Sequence, residues 1–330
     1  MSFQLNHMHD LDLKQLQSCD LLIVAQSSEP RGYAIPTSLA GVPNDFWVIL
    51  QSTLNRPGPQ ALSSTYPGAT PVGIESVTVQ LTQWLRNNRT DSPKVVIDVS
   101  CMSRPAMAAV FEPVFRVAAE RSVTLVVGYV IASYSPPPAS LPPNEDIKPI
   151  SDWFAGWPSD ATASTALVVG LGYERAKAEG ACEYFDASET WVLVPRSPLL
   201  EYDNAVVENN TELLARARQR GRSIDYKVDC PTETFGYLAS TVSRLLPRIN
   251  PVLLPFGPKI YFAVNLLIAA IYSEAGVWHV TGDVDTPETT HAPSDHWVAF
   301  QADLSPHITD SSPIGLAEAP RRARRAEGSS

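Results

Sequence analysis

Two acidic and four basic residues recur at comparable places in the two halves of the chain. Glu29 and Glu174 lie the same distance beyond Val24 and Val169, and Arg31 and Arg175 follow closely behind them. Arg104, in Ser103-Arg104-Pro105, and Lys259, in Gly257-Pro258-Lys259, each open a helix-compatible stretch after an apolar run. A helix start offers unpaired N–H groups and the positive end of the helix dipole, so a cation there strengthens a site for an anion. A nearby glutamate can accept hydrogen bonds from a base or ribose, steady the cation, or take a proton. The second half supplies the fuller candidate ligand site: Gly170, Gly172, Tyr173, Glu174, Arg175, Arg196, Gly257 and Lys259. Glu29, Arg31, Ser103 and Arg104 form a weaker second site, because Ala25-Gln26-Ser27-Ser28 replaces the Gly170-Leu171-Gly172-Tyr173 turn. The competing reading is an ordinary ion pair at the sheet edge in each half.

Other chemistry-bearing residues point less clearly. Gly170-Leu171-Gly172 lacks the third glycine of a dinucleotide fingerprint, and the next strand ends in Val194-Pro195-Arg196 with no acid to hold a ribose. No nicotinamide or other cofactor is therefore expected, and Arg196 would instead suit a phosphate. Cys101 beside Asp98, Ser100 and Ser103 has the type of a nucleophile, but no histidine stands near it in sequence. His291 and His296 do not have the spacing of a helical metal pair, and no metal is expected. Asp203 reads as a helix cap, with Tyr202, Asn209 and Asn210 along the same helix.

These residues need elements to place them. Leu21–Ala25, Phe46–Leu50, Val95–Val99 and Thr124–Ala132 read as strands, with helices around Val77–Leu85 and over Pro105–Glu120. The second half alternates more regularly. Strands at 167–170, 191–195, 224–228, 252–256 and 277–281 are separated by helical patterns, including Tyr202–Arg220 and the apolar stretch after Pro258. Short apolar strands alternating with helices imply βαβ units and parallel sheets covered on both faces. The fold expected is α/β: two tandem Rossmann-like, doubly wound domains that look like an internal duplication. Residues 1–134 would form the first, 135–165 a Pro-rich linker, 166–304 the second and 305–330 a flexible basic tail.

Composition narrows the function classes. At 44% hydrophobic and 18% charged residues, the chain has enough apolar side chains for two cores and is not of the disordered class. A net charge of −10 argues against a broad nucleic-acid surface, which leaves Arg321, Arg322, Arg324 and Arg325 as the one place for such contact. No apolar run reaches membrane-spanning length, and Met1–Asp20 lacks the pattern of a signal peptide, so no membrane partner is expected. Four dispersed cysteines without a CxxC pair suggest a reducing, cytoplasmic setting.

The segment Val252-Leu253-Leu254-Pro255-Phe256-Gly257-Pro258-Lys259, followed by an apolar helix, resembles the CRISPR-associated Rossmann fold family. Its members are prokaryotic sensors of cyclic oligoadenylates. Gly257 and Lys259 match the family's turn, whereas Pro258 stands where the family has a hydroxyl residue. The likeness covers Thr165 to Gly282, with an echo over Cys19 to Ala132. It implies a regulatory protein of antiviral defence that binds a nucleotide or cyclic oligonucleotide and pairs with a protein partner or a second copy. Two other classes stay open: a non-catalytic scaffold subunit of a larger complex, and a hydrolase or N-glycosidase using Glu174.

Overall fold

Five strands of the first half are nearly all apolar and run parallel, as strands buried on both faces do. They are β2 (Leu21–Ala25), β3 (Asp45–Leu50), β4 (Thr70–Gly73), β5 (Lys94–Asp98) and β6 (Val123–Ala132). Their spatial order, β4-β3-β2-β5-β6, reverses direction between β2 and β5. The second half repeats this with β8 (Thr165–Gly170), β9 (Glu189–Arg196), β10 (Ser223–Lys227), β11 (Asn250–Pro255) and β12 (Gly276–Thr281). Their order is β10-β9-β8-β11-β12, reversing between β8 and β11. The chain is thus an α/β protein with two mostly parallel, doubly wound sheets of one topology. This computed structural model describes residues 2–16, 18–39, 43–51, 65–137, 144, 146–157, 160, 162–175, 177–281 and 291–307. The basic residues at 321–325 and Pro138, Pro142 and Pro143 of the Pro-rich stretch lie outside them.

The sheet edges depart from the sequence reading. Phe3–Asp10 forms β1, and Pro293–Pro306 forms β13, the latter lying antiparallel between β6 and β1. Residues 293–304, expected in the second domain, therefore complete the first sheet. The alternation that buries Val298, Phe300, Ala302 and Leu304 against it supplies the reason. Within the expected linker, Asp146–Pro149 forms β7, an antiparallel edge strand on β12. The adjoining Trp153 stacks on Phe115 with ring centroids 6.0 Å apart.

Helices cover the faces: α1 (Arg31–Ser38), α2 (Ile74–Asn87), α3 (Arg104–Ala118), α4 (Lys177–Tyr184), α5 (Leu200–Asn209), α6 (Thr211–Gln219), α7 (Pro231–Leu245) and α8 (Lys259–Ile271). The single helix expected over Tyr202–Arg220 divides at Asn210. There the side-chain amide donates to the Val206 carbonyl (2.8 Å), the partner that a continuing helix would give its backbone N–H. Helix α8 is apolar all round, and every residue from Ile260 to Ala269 is buried. A helix of that kind must be enclosed rather than laid on a surface. It packs against α3 and α7 and against strands of both sheets. Phe111, Phe115 and Val127 of the first half share one core with Phe262, Leu266 and Val277 of the second. No helix among the described residues is long and apolar enough to cross a membrane.

A common core makes unfolding of the halves inseparable. Leu267 is fully buried on α8, so Leu267→Ala should cost about 2–5 kcal/mol. Urea titrations followed by tryptophan fluorescence and by far-UV circular dichroism should show one coincident transition, displaced as a whole. Two transitions, of which the substitution moves one, would contradict the shared core.

Candidate functional site

In each sheet the strand order reverses between the first and fourth parallel strands, which splays the following turns apart at their carboxyl ends and opens a crevice. Glu29 and Arg31 follow β2, and Arg104 follows β5. Glu174 follows β8, and Lys259 follows β11. The turn after β8 is shaped by close approach. A Cβ on Gly170 would stand 2.1 Å from the Tyr261 ring of α8, and one on Gly172 would stand 2.8 Å from the Phe256 carbonyl oxygen. Any side chain would push the two turns apart. Two asparagines at the α5–α6 break fix this turn from above, Asn210 donating to the Gly172 carbonyl (2.9 Å) and Asn209 to the Tyr173 carbonyl (2.8 Å).

The basic residues do not serve the halves from which they come. Arg104 Nη2 donates to the carbonyls of Phe256 (3.2 Å) and Gly257 (3.5 Å) in the second half. Its guanidinium lies 5.7 Å from the centroid of Phe262. Lys259 Nζ donates to the Ser100 carbonyl (3.0 Å) in the first half. The expected pairing of Glu29 with Arg104 and of Glu174 with Lys259 is therefore exchanged. Glu174 acts electrostatically on Arg104, while Lys259 feels Glu29, Arg31 and Cys101. Packing of α3 on α8 is the cause, because it aims each helix start at the other sheet's mouth.

Both mouths open into one cavity of about 630 Å³, within the size range of small-molecule sites. Arg31, Arg104 and Lys259 bring positive charge to it, and Glu174 and Asp203 negative charge. Tyr129 from β6 and Tyr173 and Tyr202 from the second half give it an aromatic wall, with His279 and His291 at its lining. Tyr202 packs edge-on between Tyr173 (5.3 Å) and Tyr134 (5.1 Å).

Burial strains the charges here. It drives the Lys259 ammonium down to about 8, with the cations Arg31 and Arg104 adding to the effect. Burial likewise lifts the Asp98 carboxyl to about 6, lowers Arg104 from its ordinary value and depresses His279 to about 4, which leaves that imidazole neutral at pH 7. Asp98 Oδ2 and Arg104 Nε are buried without a hydrogen-bond partner among the described residues. The Cys101 thiol is pushed up by burial, so the protonated form is favoured, the opposite of an activated nucleophile.

Of the residues singled out by sequence, Arg31, Ser103, Arg104, Gly172, Tyr173, Glu174, Gly257 and Lys259 line the cavity. Ser103 also caps α3, accepting from the Ala106 N–H (3.3 Å). Four do not line it. Gly170 faces Tyr261, and Arg175 is exposed. Glu29 lies behind Arg31, accepting from its Nη2 at 2.6 Å and its Nε at 2.9 Å. Arg196, expected to bind an anion together with Lys259, is instead held by Asp225 at 2.7 Å, with Asp203 at 3.9 Å. Asp203 does not cap α5. Its carboxylate accepts the Ser197 N–H (2.6 Å) in the turn before that helix. Tyr129 and His279 lay in plain apolar strands, and nothing in their sequence neighbourhood marked them. No cluster of His, Cys, Asp and Glu fit to hold a metal ion occurs among the described residues.

These features define a doubly wound α/β protein in which two sheets share one charged, tyrosine-lined cleft. No family model matches the chain, and no curated protein matches it. Among solved structures it is similar to a protein described as a universal stress protein from Pseudomonas aeruginosa UCBPP-PA14. That similarity has 9% identity and a TM-score of 0.24, and covers 82% of this chain and 95% of that one.

Charge strain at the cleft has a measurable sign. Lys259 titrates near 8 in the folded chain against an ordinary 10.5, so between those values the unfolded chain holds more protons and stability rises with pH. Below about 8 the buried ammonium opposes folding. Lys259→Met should therefore raise the melting temperature at pH 7, and its advantage should shrink as the pH approaches 10. A variant less stable than the parent at pH 7 would show that the bond to the Ser100 carbonyl outweighs the burial of charge.

Proposed function

We propose that the protein binds a nucleotide-type anion in the cleft between its two sheets and acts as a regulatory sensor. The observation that carries this reading is the reciprocal placement of Arg104 and Lys259. Two helix starts, each beginning with a cation, meet at the seam of one cavity and reach across it. Helix starts and cations together favour phosphate. The tyrosine wall suits the face of a base, since stacking on an aromatic ring is tolerant of base identity. A carboxylate at the same cavity can accept the donors that bases and riboses carry. The turn Gly257-Pro258-Lys259, through which the chain resembles the CRISPR-associated Rossmann fold family, supplies one of the two cations. That resemblance supports a cyclic oligonucleotide as a ligand and a place in antiviral defence. Signal output would then pass to a protein partner or a second copy of the chain.

A shared cleft makes a quantitative expectation. Isothermal titration calorimetry with mono-, di- and cyclic oligonucleotides should find a ligand that saturates at one molecule per chain. Arg104→Met and Lys259→Met should each weaken it about tenfold or more, as expected on losing a charge-assisted hydrogen bond. Saturation at two equivalent molecules per chain would indicate separate sites in the two halves, and no binding by any member of the panel would remove the reading.

A further inference from the structure

The two mouths are alike in topology but not in the state of their glutamates. Glu29 is engaged: its carboxylate receives both Nε and Nη2 of Arg31, which itself lies only 6% exposed. Glu174 lines the cavity, and no hydrogen bond to its carboxylate occurs among the described residues. An ionised carboxylate has only acceptor positions, so one facing a cavity without donors is suited to take them from a ligand. Tyr129 of β6 lines the cavity from the first half, but the aromatic residues around the two glutamate-bearing turns divide in the same way. In the first half Tyr33 and Tyr66 are turned onto the turn after β2, the Tyr33 hydroxyl donating to the Ser27 carbonyl (2.7 Å) and the Tyr66 hydroxyl accepting the Ser27 N–H (3.2 Å). In the second half Tyr173 and Tyr202 present themselves to the cavity. The position that matches Tyr173 in the first half is Ser28, which has no ring to offer.

The cations lie between these two environments. Lys259 is near Arg31 and Arg104, and Arg104 is in turn near Glu174. Of the two acids, Glu29 is already neutralised by Arg31, whereas Glu174 acts on Arg104 at the cavity they both line. His279, which feels Arg104, adds to the cavity lining a neutral imidazole that can donate or accept.

We infer that the cleft binds its ligand in one orientation only, on the strength of this unequal pair of mouths. The anionic group rests on Lys259 and Arg104 at the seam. The heterocycle lies toward the second half, its face covered by Tyr173 and Tyr202 and an N–H or O–H donor accepted by Glu174. The inference rests on the nucleotide-binding reading and sharpens it to a ligand that joins a phosphate to a donor-bearing ring. Glu174 is then the residue that sets specificity, while Glu29 serves only to hold Arg31.

The experiment separates the two ends of such a ligand. Inorganic pyrophosphate, which has the anion alone, and the tightest-binding nucleotide of the calorimetric panel are titrated into the full chain and its variants. Glu174→Ala and Tyr202→Leu should each weaken the nucleotide about tenfold, the scale of one lost base contact. Pyrophosphate binding should stay unchanged, or tighten in Glu174→Ala because a negative charge has gone. Retained pyrophosphate binding also shows that the variants are folded. Lys259→Met should weaken both probes. Equal effects of Glu174→Ala on both probes, or a selective loss of nucleotide with Glu29→Gln in place of Glu174→Ala, would overturn the orientation while leaving nucleotide binding intact. A parent chain that binds pyrophosphate but no nucleotide would overturn both readings.

Discussion

The enclosure of α8 is the constraint from which the rest of the molecule follows. Ten consecutive residues from Ile260 to Ala269 are buried, including Asn265 and Tyr261. One sheet can cover only one side of a helix, and the other side must find apolar surface elsewhere. Here it is found on α3 and the first sheet. The two halves are consequently joined by core rather than by a polar domain interface. Because α8 and α3 pack together, Lys259 and Arg104 are brought to one seam and reach across it. The site geometry is thus a consequence of hydrophobic burial at one end of two helices, and needs no dedicated element of its own.

That arrangement carries an electrostatic cost which the fold does not relieve internally. Burial in the cleft disfavours the charged forms of both Lys259 and Arg104, and for Lys259 the neighbouring Arg31 and Arg104 add to the effect. Among the described residues their hydrogen bonds go to backbone carbonyls of Ser100, Phe256 and Gly257, and not to carboxylates. Carbonyls satisfy donors but leave the net charge in place, so the cleft retains an attraction for an anion. Had Arg104 paired closely with Glu174, as Arg31 pairs with Glu29, that attraction would be weaker. Local unfavourable charge held in place by a stable core is a common mark of binding sites, where function and stability pull in opposite directions.

Much of the fold was legible in the sequence because parallel strands buried on both faces leave continuous apolar runs. Leu21–Ala25, Val95–Val99 and Val252–Phe256 lie within a residue or so of the strands found. The edges were not legible. β4 and β7 are short and carry Pro71 and Pro149, and β1 alternates polar with half-buried residues, so none gives a strong periodic signal. The return of β13 to the first sheet is a long-range pairing, and periodicity along a chain contains no information about which sheet a strand joins. For the site, the residue types and their positions after the first and fourth strands could be read. Their partners could not. The exchange of Arg104 and Lys259 depends on how α3 meets α8, and the loss of Arg196 to Asp225 depends on β9 lying beside β10 in register.

Repetition of topology without repetition of chemistry has a physical logic in this chain. Equivalent turns in the two sheets are built differently. The β8 turn needs glycine at 170 and 172 to let Tyr261 and the Phe256 carbonyl approach, and it is tied down from outside by Asn209 and Asn210. The β2 turn is instead held by Tyr33 and the Glu29–Arg31 pair that follow the strand, and by the Tyr66 hydroxyl from the segment before β4. A turn that spends its own glutamate and tyrosine on bracing has neither left for a ligand, whereas one tied down by Asn209 and Asn210 keeps Tyr173 and Glu174 at the cavity. The half whose turn keeps its own acid and ring unspent is therefore the half able to recognise something beyond charge.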